Sequence, residues 1–510
     1  MKKHSGMYKK SFIFLSLSAM LFLLWACSDW LHLKPENNIV KDEYWVSKEN
    51  VHSALVGCYA SLLDDNLTNK LFLWGEIRTD EIEPGVLIDW NFLQIMNGVV
   101  VPTNTTFDWK MFYKSINLAN TVLDFAKEAQ KIDATYSMGQ LKADEAEARG
   151  LRSLLYFYLA RTYGEVPLMT KAIVSDDQDI YIPKSSQGII INQIINDLDT
   201  AEQNAYPSYG RLDYDKGRLT KYGINALQAD VYLWHSDYQK CIDACNKIIG
   251  SGQYGLVQTP DSSSGNNNWF TDNFVTGNSN ESIFEFQFNA TKSNPFFDYF
   301  SNAGKWSFLP SIYVISDGSL FTSETNGYQP DLRAKPSSSF TASQMVWKYL
   351  GLSTNGSTQR SKSVFNAHWI VYRLADVYLM RAEALNQLNR GREAMNDVKT
   401  IQGRAYADTT YQIDNADKEG ITDLILKERQ KEFLFEGKRW FDVLRHARRN
   451  HFGYMRYIHE MIGNYATVSL QNELINRYTD TLSLYFPIPQ SEIDANPNLK
   501  QNRYYDPGNQ

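Results

Sequence analysis

Apolar residues recur at helical spacing along most of this chain. Residues 51–63 carry one such stripe, and residues 111–126 another, with Phe112, Ile116, Ala119, Val122 and Leu123 on one face. Residues 145–163 repeat the pattern through Ala148, Leu151, Leu155, Tyr158 and Leu159. Glu145 and Arg149 stand four apart, spaced for an ion pair along the helix. Gly164 predicts the end of that helix and Pro167 prevents its restart. Residues 189–201, 421–435 and 439–448 predict three more helices. Two stretches read as helix–turn–helix pairs. In the first, Tyr222, Ala226, Ala229 and Leu233 lead to a second helix that runs from Tyr238 through Ala244. In the second, Leu374, Tyr378, Ala382 and Leu385 lead to Gly391, Ala394 and Val398. Small residues at fixed spacing let paired helices approach, in the manner of a degenerate tetratricopeptide repeat. The expected fold is mostly α: a tetratricopeptide-like scaffold of helix pairs with a loop-rich insertion and a few short strands.

Two regions break the helical period. Residues 66–108 scatter aromatics among Gly, Pro, Asn and acids, and are expected to be irregular. Residues 251–365 are rich in Ser, Asn, Gly and Thr, with one strand-like run at 283–288 and aromatics at Trp269, Phe296, Tyr299, Trp306, Tyr328, Trp347 and Tyr349. A helical frame over about 49–250 and 366–510 carrying this insertion is the usual arrangement for a binding surface.

The first residues add a membrane. Lys2, Lys3, Lys9 and Lys10 precede an apolar run over 12–25 and then Ala26-Cys27. This is the layout of a secretory signal peptide, with a run shorter than the ~20 residues of a spanning helix. A small residue directly before Cys is similar to the lipobox of bacterial lipoproteins, which implies cleavage after residue 26, lipid on Cys27 and a tether over 27–48. Several acyl chains anchor stably where one is marginal. Loss of the four leader lysines takes the formal charge from −7 to about −11, which argues against nucleic acid as a partner. Three cysteines remain, Cys58, Cys241 and Cys245, an odd number that argues against a disulfide framework. Cys241 and Cys245 lie one helical turn apart with no further Cys or His nearby, and read as small buried residues.

Catalytic and cofactor signatures are missing. The sequence contains no zinc-protease helix, nucleophile elbow or phosphate-binding loop ending in Gly-Lys-Ser/Thr. Gly250-Ser251-Gly252-Gln253-Tyr254-Gly255 matches a dinucleotide fingerprint literally, but it follows a helix instead of opening one. Asp176-Asp177 reads as solvated loop before calcium site. No cofactor, metal or catalytic residue is expected. The aromatics point to recognition instead, with 31 Tyr and 12 Trp in the chain. Sugars pack their C–H faces on flat rings while their hydroxyls reach polar side chains, so exposed Trp beside Asp and Asn is the pattern sought. Trp90, Asn91 and Trp306 are the first candidates, with Asp80, Trp269 and Trp347 completing the set. Trp74, Glu76 and Arg78 read as frame.

Seven segments, in order, carry a resemblance. They are Cys27-Ser28-Asp29-Trp30-Leu31 with Lys34-Pro35; Glu147-Ala148-Arg149-Gly150-Leu151-Arg152 through Tyr163-Gly164-Glu165-Val166-Pro167; Gly217-Arg218-Leu219-Thr220; Glu281-Ser282-Ile283-Phe284-Glu285; Leu374-Ala375-Asp376-Val377-Tyr378 through Arg381-Ala382-Glu383-Ala384; Glu428-Arg429 through Gly437-Lys438-Arg439-Trp440-Phe441-Asp442; and Phe486-Pro487-Ile488-Pro489 with Asn496-Pro497-Asn498-Leu499. Together they resemble the SusD/RagB family of Bacteroidetes outer-membrane lipoproteins. The one departure is Arg503-Tyr504-Tyr505, where Pro-Gly-Tyr is common in the family. The resemblance implies a SusD-like α-superhelical frame without catalytic activity. It also implies a surface lipoprotein that captures a glycan as the lid of a SusC-type TonB-dependent porin. Capture of oligopeptides by the same architecture is the alternative, and a surface adhesin a further one. Glu428, Arg429, Glu432, Glu436, Arg439 and Asp442 look like a catalytic charge cluster, but charges at helical spacing predict pairs within the frame.

Overall fold

The computed structural model describes residues 44–175, 177–258, 267–316, 319–321, 331–334, 339–341, 343–407, 409, 412–506 and 508. The leader, Cys27, most of the tether, Asp176 and Tyr328 lie outside the described residues.

The frame begins with α1 (Lys48–Leu62) and α2 (Asp65–Glu76), followed by β1 (Ile82–Pro84) and the short α3 (Trp90–Met96). The long helices α4 (Lys110–Ile132) and α5 (Met138–Tyr163) come next, then α6 (Gln187–Asn204), α7 (Lys221–His235) and α8 (Tyr238–Ile249). Strands β2 (Ser282–Phe286), β3 (Phe308–Pro310) and β4 (Trp369–Arg373) punctuate the insertion. After them come α9 (Leu374–Gln387), α10 (Gly391–Arg404), α11 (Lys418–Glu432), α12 (Arg439–Ala447), α13 (Arg456–Tyr465) and α14 (Val468–Arg477).

Local chemistry sets these ends. Ser137 caps α5 through a reciprocal pair, its hydroxyl accepting from Gln140 N while Gln140 Oε1 accepts from Ser137 N. Ser47, Ser186 and Thr220 cap α1, α6 and α7 in the simpler way. From α4 to α10 each helix packs on the next, which builds the expected curved stack of pairs. Cys58, Cys241 and Cys245 are buried and unbridged, as expected of small helix residues.

Residues 66–108 depart from the expectation. Asp64 caps α2 and Asp89 caps α3, each accepting from the backbone N–H two residues on. Of α2, nine of the twelve residues are buried, so it lacks the one-sided stripe by which a surface helix is recognised. α13 and α14 were not expected, although Tyr457, Ile458, Met461 and Ile462 recur at helical spacing in α13 and Thr467 caps α14.

Two antiparallel ribbons join the 251–365 segment to the frame. β1 pairs with β3 in the register Ile82–Pro310 to Pro84–Phe308, and β2 pairs with β4 from Ser282–Arg373 to Phe286–Trp369 with bulges between. The insertion carries its own aromatic core. Phe72 of α2 meets Phe296, Tyr299, Phe300, Phe308 and Trp369, and Tyr349 stacks on both Phe300 and Trp369.

The charge run of α11 and α12 lies inside this frame. Arg373, fully buried, donates to Glu281 Oε1 at 2.8 Å and Glu436 Oε1 at 2.9 Å, and also pairs with Glu432. Arg404 donates to Glu281 Oε2 at 2.8 Å and also pairs with Glu432. Arg333 reaches Glu428 at 2.6 Å, and Lys348 reaches Glu436 at 2.9 Å. Arg429 bridges Asp376 and Asp442, each at 2.8 Å. Despite burial, the surrounding guanidinium groups hold Glu432 well below the usual carboxylate range, and Glu436 lies below it as well. These charges therefore lock helices together. At the adjoining seam, a Cβ on Gly75 would sit 1.8 Å from the Gly437 carbonyl oxygen, and Gly437 itself has φ +69°, so both positions require glycine. Glu76 accepts from Gly437 N at 2.8 Å and Glu81 from Phe435 N at 2.9 Å. Burial pushes the Glu76 carboxyl up to about 8. Burial also raises Glu81, with the neighbouring Glu76 adding to the shift.

Candidate functional site

A cleft of about 730 Å³ opens where α2, α3 and the insertion meet. Asn69 and Lys70 of α2, Asp89 and Phe92 at α3, and Asp298 and Tyr299 from the insertion line it. One wall is aromatic. Phe92 stacks on Phe308 at 5.5 Å between centroids and meets Tyr299 edge-on at 5.8 Å, so the cleft surface continues into the aromatic core behind it.

Trp90 and Trp306 lie beside this cleft in the chain. Trp90 is the first residue of α3, next to Asp89, and is 68% exposed, an unusual placement for so large a ring. Asn91 is half-buried. Its side-chain amide donates to Asp89 Oδ1 at 3.1 Å, and its carbonyl accepts from Asn104. Trp306 stands between the cleft residues Lys305 and Ser307, half-buried, with φ +50°. A left-handed backbone at a bulky residue costs ~1–2 kcal/mol, and such strain concentrates at functional sites. Gly85 holds it there: a Cβ on Gly85 would come within 1.9 Å of the Trp306 carbonyl oxygen, and Gly85 N donates to Ser307 O at 2.8 Å.

The other three candidates do not reach the surface. Trp269 is 1% exposed and lies under Lys348, with the ammonium 5.3 Å from its ring centre. Trp347 is fully buried, and its indole N–H donates to Ser353 O at 2.8 Å. Asp80 is fully buried, and its carboxylate accepts from Arg439, Gln430 and Asn464. Their sequence neighbourhoods are polar, but their side chains point into the frame and the insertion's core. They are corrected here to structural positions. Trp74, Glu76 and Arg78 are buried, as read.

Sequence reasoning missed Lys70, Asn69, Phe92 and Asp298. The signal for the first two was present: Asp64 is a helix cap, and Leu67, Leu71 and Trp74 recur at helical spacing after it. The Asn69 Oδ1 and Thr106 Oγ1 atoms, on residues that line the cleft, have no hydrogen-bond partner among the described residues. Gly250–Gly255, the literal fingerprint, runs out of α8 into a turn and opens no helix. Among the described residues, no group of three or more His, Cys, Asp or Glu is disposed to hold a metal ion, and no helix is long and apolar enough to cross a membrane.

Compared with known proteins, residues 238–505 match the SusD family, and residues 29–233 match a family described as starch-binding and associating with the outer membrane. A SusD-like protein of Formosa agariphila is 26% identical over 495 residues, covering 87% of this chain and 92% of that protein. The starch-binding protein SusD of Bacteroides thetaiotaomicron is 23% identical over 424 residues, covering 71% of this chain and 72% of that one. Among solved structures, a SusD superfamily protein from Bacteroides thetaiotaomicron aligns with a TM-score of 0.71 at 22% identity, over 91% of this chain and 99% of that chain. A laminarin-binding SusD-like protein aligns with a TM-score of 0.67 at 19% identity, over 90% and 99%. At these identities the structural likeness establishes the fold.

Proposed function

The chain belongs to the SusD family, and on that footing we propose that it is a glycan-binding lipoprotein of the outer membrane that serves a SusC-type TonB-dependent importer as its lid. Lipid on Cys27 holds it at the membrane, residues 27–48 are the tether, and the ligand is an oligosaccharide taken by the cleft beside Trp90 and Trp306. The protein binds and does not catalyse.

One observation carries this reading: a cleft of about 730 Å³ joins an aromatic wall to polar side chains, beside a tryptophan that is 68% exposed. Sugar C–H faces suit the wall formed by Phe92 and Tyr299, while hydroxyls suit the carboxylates, amides and hydroxyls opposite. The relatives named for starch and for laminarin support the ligand class.

Calorimetry on the chain from residue 27 onward, against a panel of neutral and acidic oligosaccharides and of short peptides, tests the ligand. Saccharide binding is expected, and binding of peptides alone would overturn the reading. Cys27→Ala is expected to move the protein out of the membrane fraction, and its retention there would remove the anchor. A TonB-dependent porin is expected to copurify from gently solubilised membranes; a chain that emerges alone would count against the lid role.

A further inference from the structure

The cleft holds a charge that the rest of the molecule does not explain. Three lysines among the described residues are at least nine-tenths buried: Lys70, Lys216 and Lys348. Lys348 donates to Glu436 at 2.9 Å, and Lys216 donates to the Ser282 carbonyl at 2.6 Å. Lys70 is 7% exposed and lines the cleft, yet no acceptor or carboxylate among the described residues lies within bonding distance of its ammonium. Asp108 and Asp64 act on it only through space, and burial pulls its pKa below the ordinary lysine value. Lys70 is thus a largely buried side chain whose ammonium meets the cleft without a partner, whereas the other two buried lysines are each given one.

The acids of the cleft are already engaged. Asp65 pairs with Lys292 at 2.6 Å and Asp298 with Lys362 at 2.9 Å. Asp89 caps α3, accepting from Asn91 N at 2.8 Å. The cleft charges left without an ion-pair partner among the described residues are Lys70, the exposed Lys305 and Asp89, whose Oδ1 already accepts from Asn91. The Thr106 hydroxyl, on a residue that also lines the cleft, lacks a partner among the described residues.

Building on the glycan-binding reading above, we infer that the saccharide taken here carries an oxyanion, a carboxylate or a sulfate ester, and that Lys70 receives it. The anion supplies the counter-charge that the fold withholds, and Lys305 adds a second positive charge to the same cleft. A charge-assisted contact to a largely buried lysine discriminates between an acidic sugar and its neutral counterpart.

The test is calorimetry with matched pairs: oligogalacturonate and its carboxyl-reduced form, alginate oligosaccharide and its carboxyl-reduced form, and sulfated galactan oligosaccharide and its desulfated form. The wild-type chain from residue 27 onward is expected to bind at least one acidic member at least tenfold more tightly than its neutral partner. The pair showing the gap says whether the anion is carboxylate or sulfate. Lys70→Met, with folding checked by its melting curve, is expected to close the gap by weakening the acidic ligand, and Lys70→Arg to retain part of it. Equal affinity within every pair overturns this inference and leaves the glycan-binding function standing. A gap that survives in Lys70→Met overturns the assignment to Lys70. No binding to any saccharide overturns both readings. The wild-type comparison needs no variant, so a Met protein that fails to fold does not blunt the test.

Discussion

Around Arg373 every buried charge meets its opposite, whereas around Lys70 the polar atoms are left open. In the frame, Glu281, Glu432 and Glu436 are shared among Arg373, Arg404, Arg333 and Lys348 at 2.9 Å or less. In the cleft, Lys70, Asn69 Oδ1 and Thr106 Oγ1 have no bonded partner among the described residues. The desolvation cost of a charge is met inside the protein in the first case and left for a ligand in the second. The same contrast separates the tryptophans. Trp269 and Trp347 are buried in the insertion, whereas Trp90 is exposed at the end of a seven-residue helix. What distinguishes a structural group from a binding group in this protein is whether its partner is already present, not its residue type.

Substitution tests that distinction most severely at Arg373. Arg373→Met takes one cation from each of three buried carboxylates, leaving them to Arg404, Arg333 and Lys348, and is expected to destabilise by about 3–5 kcal/mol, measured by urea unfolding or seen as loss of folded protein. Near-native stability would mean that the frame is not held by this network. The tryptophans give a paired test. Trp347→Ala is expected to cost about 3–5 kcal/mol of stability through its cavity. Trp90→Ala is expected to leave stability within about 0.5 kcal/mol and to weaken saccharide binding about tenfold, ~1.4 kcal/mol. Unchanged affinity in Trp90→Ala would remove that ring from the site. A separate test concerns the proton on Glu76. Its carboxyl titrates near 8 in the folded state against an ordinary 4.5, so between these values the folded chain binds more protons than the unfolded one. Stability therefore falls as pH rises through that window. Glu76→Gln keeps an acceptor for Gly437 N and is expected to flatten this decline in unfolding curves taken from pH 5 to 8; an unaltered slope would place the proton elsewhere.

The helices of the frame were legible because their apolar stripes are long and one-sided. Residues 111–126 and 145–163 lie within α4 and α5, and both helix pairs appear where small residues recur. α2 escaped notice because polar residues such as Thr68, Asn69 and Lys70 interrupt its apolar run, although most of the helix is buried. The insertion was read correctly as poor in regular structure, but its aromatics were misjudged. Phe296, Tyr299, Trp347 and Tyr349 sit among Ser, Asn and Gly, yet all are buried: Phe296 packs on Tyr299 and Tyr349, and Phe296 and Tyr299 meet Phe72 from the frame. Composition cannot reveal a core assembled from segments more than 200 residues apart. The charge run at 428–442 was legible as structure, since its helical spacing called for partners; only the coordinates show that these include Glu281, Arg333 and Arg373.

The seam between residues 76–81 and the C-terminal helices has a consequence for how the chain acquires its shape. Glu76 and Glu81 bind the backbone of Gly437 and Phe435, Asp80 holds Arg439 and Asn464, and Arg78 donates to Leu484 O at 2.8 Å. These contacts join positions 354 to 406 residues apart in sequence. Closing so long a loop is slow, and the loop cannot close before its far end exists. A nascent chain thus emerges with the carboxylates and guanidinium of residues 76–81 unpartnered until almost the last residues arrive. It must be kept from aggregating for that interval, and a truncation just short of residue 435 removes the keystone from both ends at once.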